Sequence, residues 1–477
     1  MAFCITFGKF KYKYKYIFYS AISLLISDFS FGINYHGVFN DVSLIKIFGI
    51  VDDEKKFYQH YYIRQIFCYF GTFILSIILY KIEASKSRSE SIKSMKESSS
   101  NINSSYNSNS EIKLIYEKND LIIYSKFFVL KLLFLILLWV MEEKFTEKLN
   151  SILKHLDFWM LEFIFLTIFC KKYLQKEIYR HQMLAMLLTV LPCTLKIATI
   201  FLSFDDEEET NSDNFRRNDE LMKILYVPYP WLIPIGIIIY LSMKIMRAYI
   251  KTQIKWYMDI KYVSITKLLM NYGIIGAIFY TIICTITTFA DCPHNDKNFE
   301  DYFCGVQENN NNHNNNNNKK YFASFRLYFR DILFKHSWKE IILLIIGILG
   351  FSFYKFYSLM IIKKLTPIHL VFSLPLFYIM RKIFLSISIL FNNSNNASDI
   401  YIYKYIIDTV GDFLCIFAYL IYLEIIKLNF CNLNFNLRDN IITRGQTELC
   451  PKEDLINEED ESSIDRGDTK NSLNSND

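Results

Sequence analysis

The sequence predicts an all-α protein, a polytopic transmembrane bundle of about ten helices, and three observations carry that reading. Apolar segments of about 20 residues follow one another over nearly the whole chain, as in IILLIIGILGFSFYKFYSLMII at residues 341–362. Hydrophobic residues make up 52% of the chain despite long Asn-, Ser-, Lys- and acid-rich stretches, so the blocks between those stretches are far more apolar than a soluble core requires. Basic residues concentrate in every second loop, which is the pattern that fixes membrane topology.

The first span is expected at 16–33, where four Lys precede an apolar run. No small-x-small cleavage site follows that run, so it reads as an uncleaved helix with the N-terminus cytosolic. The remaining spans are expected at 62–81, 121–141, 157–171, 183–204, 227–246, 268–290, 340–362, 368–391 and 401–427, the fourth being the shortest. Threading them places Lys9 to Lys15, Lys86, Arg88, Lys93, Lys96, Lys171, Lys172, Lys176, Arg180 and the run Lys244 to Lys267 on the cytosolic side. The opposite side receives the acidic stretch DDEEETNSDNFRRNDE and the glycosylation sequons at Asn392 and Asn396. Trp139, Trp159 and Trp231 then fall at outer helix ends, as interfacial aromatic belts prefer. The connector RAYIKTQIKWYMDIKYVSITK is expected to lie on the lipid surface, with Ile254 and Trp256 dipping in.

Three segments read as disordered. Residues 83–118 are a polar Ser-rich cytosolic linker, 306–320 hold an Asn run inside an outer loop, and 447–477 are an acidic cytosolic tail. Five of the expected spans fall within 16–204 and five within 227–427. The ten Cys show no CxxC or Cys/His spacing of the kind that binds zinc, and no metal or cofactor is expected. Cys292 and Cys304 share an outer loop, where they form a disulfide or stand as two surface thiols. A formal charge of +5 without a basic patch excludes a nucleic-acid surface. The expected partners are the lipid bilayer and a small solute.

Ionisable residues inside spans are costly and usually functional. Here they are Lys131, Glu162, Lys196, Lys355, Arg381, Lys382, Asp408 and Asp412. Arg381 and Asp412 both lie roughly 15 Å from the outer ends of consecutive spans, so they are expected to meet as an ion pair near the midplane. Asp408 and Asp412, four apart, share a helix face. Such a pair either fixes helix packing or belongs to a substrate or coupling site. Lys355 is expected to snorkel to the inner edge, and Glu162 to be hydrated at the outer one. Lys196, Arg381, Asp408 and Asp412 form the substrate-site candidates. Five deep cations against three acids would favour an anionic solute gripped by Arg381, unless the Lys side chains snorkel away. Pro192, Pro228, Pro230, Pro234, Pro367 and Pro375 interrupt spans, either as kinks near a substrate or as tolerated membrane prolines. Gly273, Gly276, Gly347 and Gly350 offer small surfaces for close helix approach.

KWYMDIKYVSITKLLMNYGIIG, LMIIKKLTPIHLVFSLPL and GDFLCIFAYLIYLEIIKLNFCNLNFNLRDNI resemble ten-span protist and fungal proteins close to the drug/metabolite transporter superfamily. The resemblance covers residues 220–445, the first half matching in helix count alone. It implies two inverted five-helix halves around a central cavity, and no particular cargo. The first functional expectation is a secondary transporter for a small polar metabolite, either anionic or without a charge preference; the second is a non-transporting receptor or scaffold. An enzyme is disfavoured, because no DHHC, HxxxxD or HExxH occurs and none of the eight His lies deep in a span; His369 is expected to cap or sit at an interface.

Overall fold

The computed structural model describes residues 5–7, 14–33, 61–98, 129, 159–176, 178–205, 232–260, 263–288, 304–306, 320–322, 338–392, 399–428, 437, 440 and 444. Among them, helices carry nearly all of the structure. They are α1 (Lys15–Ile33), α2 (Tyr61–Ser98), α3 (Trp159–Leu174), α4 (Arg180–Asp205) and α5 (Leu232–Ile260). Then follow α6 (Ile265–Thr288), α7 (Trp338–Lys364), the short α8 (Pro367–Val371), α9 (Ser373–Asn392) and α10 (Asp399–Tyr422). Two antiparallel strand pairs complete the fold: β1 (Ile5–Phe7) with β4 (Ile426–Leu428), and β2 (Cys304–Val306) with β3 (Lys320–Phe322). The second pair brackets the Asn run, whose residues 307–319 lie outside the described ones, as do 447–477.

Each helix grows from an apolar block, because a long run of Leu, Ile and Phe has both helix-compatible side chains and one face to bury. Of the third expected span only Val129 is described, and Lys131 lies outside the described residues. Helix ends depart from the apolar boundaries in three places. α2 continues to Ser98, so residues 83–98 of the segment expected to be disordered are helical; KIEASKSRSESIKSMKES contains neither Pro nor Gly, and its Ala, Glu, Lys and Arg propagate a helix already nucleated in the apolar part. The rest of that segment, 99–118, lies outside the described residues. α5 likewise runs unbroken to Ile260, so the basic connector is the second half of a long helix and not a separate surface helix. Its Ala248, Thr252, Lys255 and Met258 recur at helical spacing and are buried, which is a packed face. α10 stops earlier than 427, at Tyr422, where Glu424 takes the left-handed conformation (φ 60°). The Glu424 N–H donates to the Ile421 carbonyl and the Ile425 N–H to the Leu420 carbonyl, a Schellman cap closing the helix.

The prolines fall mostly at helix starts. Pro367 opens α8 after the extended residue Thr366, while Pro234 and Pro375 lie in the first turns of α5 and α9, where a missing N–H breaks no helical bond. Pro192 alone of these lies within a helix interior, that of α4. Pro228 and Pro230 are outside the described residues.

Four helical segments among the described residues are long and apolar enough to cross a membrane: Ile63–Ser85, Ile265–Ile286, Ile341–Lys364 and Pro367–Phe384. Their outward faces are what a bilayer requires. Phe70, Ile74, Ile78 and Ile82 line up along exposed positions of α2, and Ile278, Ile282 and Ile286 along α6. Stripes of large apolar side chains at every fourth residue present a continuous apolar face that water solvates poorly and lipid solvates well. The chain is an integral membrane protein with several spans.

Inside, small residues let backbones approach. α1 turns Ser20, Ser23, Ser27 and Ser30 inward, and α7 answers with Gly350, where an added Cβ would lie 2.8 Å from the Ser27 nitrogen. An added Cβ on Gly273 would lie 2.7 Å from the Phe73 nitrogen, which accounts for the close packing of α6 on α2. Gly276 likewise packs directly on the Tyr69 ring.

Candidate functional site

Arg381 and Lys382 are consecutive on α9, so their side chains leave the helix about 100° apart and address different neighbours. Lys382 Nζ donates to Asp412 Oδ2 of α10 at 2.7 Å, with Asp412 fully enclosed at 1% exposure. Arg381 Nε lies 3.3 Å from Asp28 Oδ2 of α1, an arrangement about one-third exposed on both sides. The expected Arg381–Asp412 pair is thereby corrected. Matching depth on consecutive helices was right, but the rotation of α9 brings Lys382, not Arg381, to face α10. The four charges sum to zero and tie α9 to both α1 and α10.

Asp28 was not among the sequence candidates. Its signal was present, a carboxylate inside the apolar run SLLISDFSFG and within the first expected span. Of the other candidates, Lys196 lies on α4 and Asp408 on α10, four residues before Asp412, but their side chains lie outside the described residues. Cys304 begins β2, and Cys292 lies outside the described residues; Asn392 ends α9, and Asn396 lies outside them.

A second cluster joins α3 to α5. Glu162 is buried and its Oε1 lies 2.5 Å from Lys251 Nζ, so it is not hydrated as expected. The reason is the continuation of α5, which carries Lys251 and Lys255 alongside α3. Lys255 is itself buried, donating to the Lys363 carbonyl at the end of α7 (3.0 Å) and lying 3.1 Å from Asp259 Oδ1. A cation on the last carbonyls of α7 satisfies acceptors that the helix leaves open.

Lys355 of α7 does not snorkel free. Its ammonium sits over three rings, 5.2 Å from the centroid of Tyr272 on α6 and 5.1 Å from those of Phe351 and Tyr354 on its own helix. The Tyr272 hydroxyl is 3.1 Å from that of Tyr69 on α2, so the group binds three helices at one level.

A further set of polar contacts joins helix ends. Thr266 at the start of α6 donates to Glu83 of α2 at 2.8 Å, and Ser264 caps α6 through the Lys267 N–H. His181 at the start of α4 lies 3.4 Å from Glu424, just past α10. His369 in α8 shares a 2.6 Å hydrogen bond with Thr366 and packs its ring among Tyr14, Tyr419 and Tyr422, a packing and capping role. The start of α1, the start of the α8–α9 span and the end of α10 are therefore neighbours, and the β1–β4 pair joins the segment before α1 to the segment after α10 there. No protein-family model and no curated protein matches the chain.

Proposed function

We propose that this chain is a secondary transporter that moves a small polar solute by alternating access between two inverted halves of five spans. The observation that supports it most is the pattern of helix packing. Numbering the expected spans one to ten, α1, α2, α3, α4 and α5 are the first, second, fourth, fifth and sixth; α6, α7, α8–α9 and α10 are the seventh to tenth. Exchanging the halves replaces each span by the one five places on. Under that exchange the pairs α2·α6, α4·α10 and α3·α8 map onto themselves. The pair α3·α5 maps onto α1·α9, and α3·α4 onto α9·α10; all four occur. The pairs α1·α7, α2·α7, α6·α7, α5·α7 and α7·α8 map onto pairs of the third span, of which only Val129 is described. α8 also touches α5, and its counterpart, α1 against α3, is not among the extensive contacts. An odd number of crossings per half makes such a repeat inverted, the construction that resemblance to the drug/metabolite transporter superfamily implies.

Two related halves packed through glycine and serine faces can rock on one another, and the ion pairs joining α9 to α1 and α10 give that motion discrete states to exchange. A receptor would need neither the internal symmetry nor intramembrane charges on several helices. The test is uptake of radiolabelled solutes into reconstituted vesicles, paired with electron-resonance distances between spin labels at the inner ends of α2 and α7. Solute-dependent redistribution between two distances is expected. One fixed distance, unmoved by any solute that stabilises the protein, would count against alternating access.

A further inference from the structure

Resting on that transport reading, we infer that His181 is a proton-binding site: a proton taken up by its ring fastens the start of α4 to the end of α10 through Glu424 and holds that end of the bundle shut. The ring is enclosed by protein, its side chain 2% exposed, and neither of its nitrogens has a hydrogen-bond partner among the described residues. Burying a polar group unsatisfied is a cost, and few native groups stay so. Here the unsatisfied atom is aimed. His181 Nε2 lies 3.4 Å from Glu424 Oε1, and the two do not meet as a hydrogen bond. With a proton on each nitrogen the ring becomes a cation and a donor at both ends, so the same two atoms can close into a charge-assisted bond.

Both partners are held in place independently of that bond. The Tyr179 N–H donates to Gln182 Oε1 at 3.1 Å and the Met183 N–H to the Tyr179 carbonyl at 3.0 Å, so the first turn of α4 is capped around His181. The Tyr179 ring stacks on the imidazole at 5.9 Å between centroids, and an aromatic face favours a cation over a neutral ring. Glu424 is fixed by the cap that closes α10, and its side chain, 22% exposed, gives protons a way in from water. Glu424 keeps a further contact of its own; what His181 requires of it is one oxygen facing Nε2. Burying an imidazolium is unfavourable, and the Glu424 charge and the Tyr179 face are what offset it. Cys170 on α3, Lys176 after it, Arg180 beside His181, Tyr422 on α10 and Lys427 on β4 are the other titratable groups of the elements that meet here. Among the described residues none of them pairs with the ring.

α4 and α10 are the fifth and tenth spans, one from each half, and their pair is one that the exchange of halves maps onto itself. Alternating access opens the two ends of such a pair in turn. A proton on His181 therefore stabilises the arrangement shut at the start of α4, the side expected to be cytosolic, and its loss frees that end to open. An imidazole changes charge between about pH 5 and 8, so the contact is fastened at the acid end of that range and released as pH rises through it.

The experiment is thermal unfolding of the full-length protein in nanodiscs between about pH 5.5 and 8, for wild type, H181Q and E424Q. Glutamine at either position keeps a polar side chain and carries no charge in this range. Other groups titrate in all three proteins, so the quantity read is the midpoint of wild type minus that of each variant at each pH. That difference is expected to be larger at the acid end by about 1–3 °C, by the same amount for both variants, with the double variant no flatter than either. E424Q, at a partly exposed position, decides alone if H181Q does not fold. A difference constant across the range, or one that grows toward alkaline pH, overturns the proton site and identifies the contact as packing only. The spin-label distances between α2 and α7 separate this outcome from the transport reading. Wild type should favour one distance at acid pH and spread to the second as pH rises, while H181Q should show both throughout. A pH-dependent midpoint difference with one fixed distance keeps the proton site and removes alternating access; two solute-dependent distances with a constant midpoint difference do the reverse.

Discussion

Lys382 and Asp412 are joined at 2.7 Å across α9 and α10, with the carboxylate almost fully enclosed and the ammonium partly reachable. That asymmetry decides what each substitution does. Removing the cation takes from a buried carboxylate the ammonium that offsets its desolvation, whereas removing the carboxylate leaves an ammonium that can still reach solvent or headgroups. Lys382→Met is therefore expected to destabilise by about 3–5 kcal/mol. Asp412→Asn should cost less, and the double variant should recover much of the loss. A double-mutant cycle on midpoints of thermal unfolding checks this; additive losses would mean the pair contributes nothing jointly.

Arg381→Met is expected to be milder, since Asp28 is about one-third exposed and less enclosed by protein than Asp412, so its carboxylate can turn away or take up a proton at lower cost. Ranking the two variants side by side in the same detergent tests the assignment of partners. If Arg381→Met proves the more damaging, and Asp412→Asn rescues it, Arg381 and not Lys382 is the effective partner of Asp412.

Gly273 carries the close approach of α6 to α2, where even one added carbon meets the Phe73 backbone. Gly273→Ala is expected to cost about 1–3 kcal/mol, as overpacking does when the obstacle is main chain that cannot rotate away. Exposed Ile282 on the same helix provides the control, and Ile282→Ala should change the midpoint little. Equal effects at both positions would mean that α6 packs on α2 through some other face.

Much of this was legible in the chain, and the failures are of two kinds. Helix positions followed from apolar blocks, so α4, α6 and α7 match their expected spans closely. Ends were missed where a helix outlives its apolar stretch, as in α2 and α5, because hydropathy marks what lipid covers and not what the backbone hydrogen-bonds. The partners of charges were missed for another reason. Depth along a helix can be counted, but which of Arg381 and Lys382 faces α10 depends on the rotation of α9, set by packing with α1 and α10 that no local pattern encodes. Lys355 shows the same limit, since its ring cluster is assembled in part from Tyr272, remote in sequence.

Glu424 holds a left-handed conformation that glycine adopts without cost, and it ends α10 beside His181. Glu424→Gly is expected to relieve the backbone by up to about 1 kcal/mol while giving up the His181 contact; Glu424→Ala gives up the contact and keeps the strain. Glu424→Gly should therefore melt above Glu424→Ala. The reverse order in thermal unfolding would show that φ at this residue is not held positive in the membrane.

The register of β1 with β4 sets Thr6 opposite Lys427, so the segments flanking α1 and α10 meet on one side of the bundle, as an even number of crossings requires. With basic loops alternating against sequon-bearing ones, that side is expected to be the cytosol. The variant Thr6→Cys/Lys427→Cys should form an intramolecular disulfide on mild oxidation of purified protein, seen as a reducible mobility shift, because directly opposed positions on antiparallel strands bring Cβ atoms within disulfide reach. Glycosylation mapping then supplies the orientation. Asn392 and Asn396 are expected to accept glycan, and Asn103, in the sequon Asn103-Ser104-Ser105 of the linker expected in the cytosol, to remain bare. A bridge that forms with Asn103 glycosylated would keep the strand pairing and invert the orientation. Failure of the bridge under conditions that oxidise an exposed control pair would remove the argument for an even number of spans, and with it the equal division of the bundle on which the inverted repeat depends.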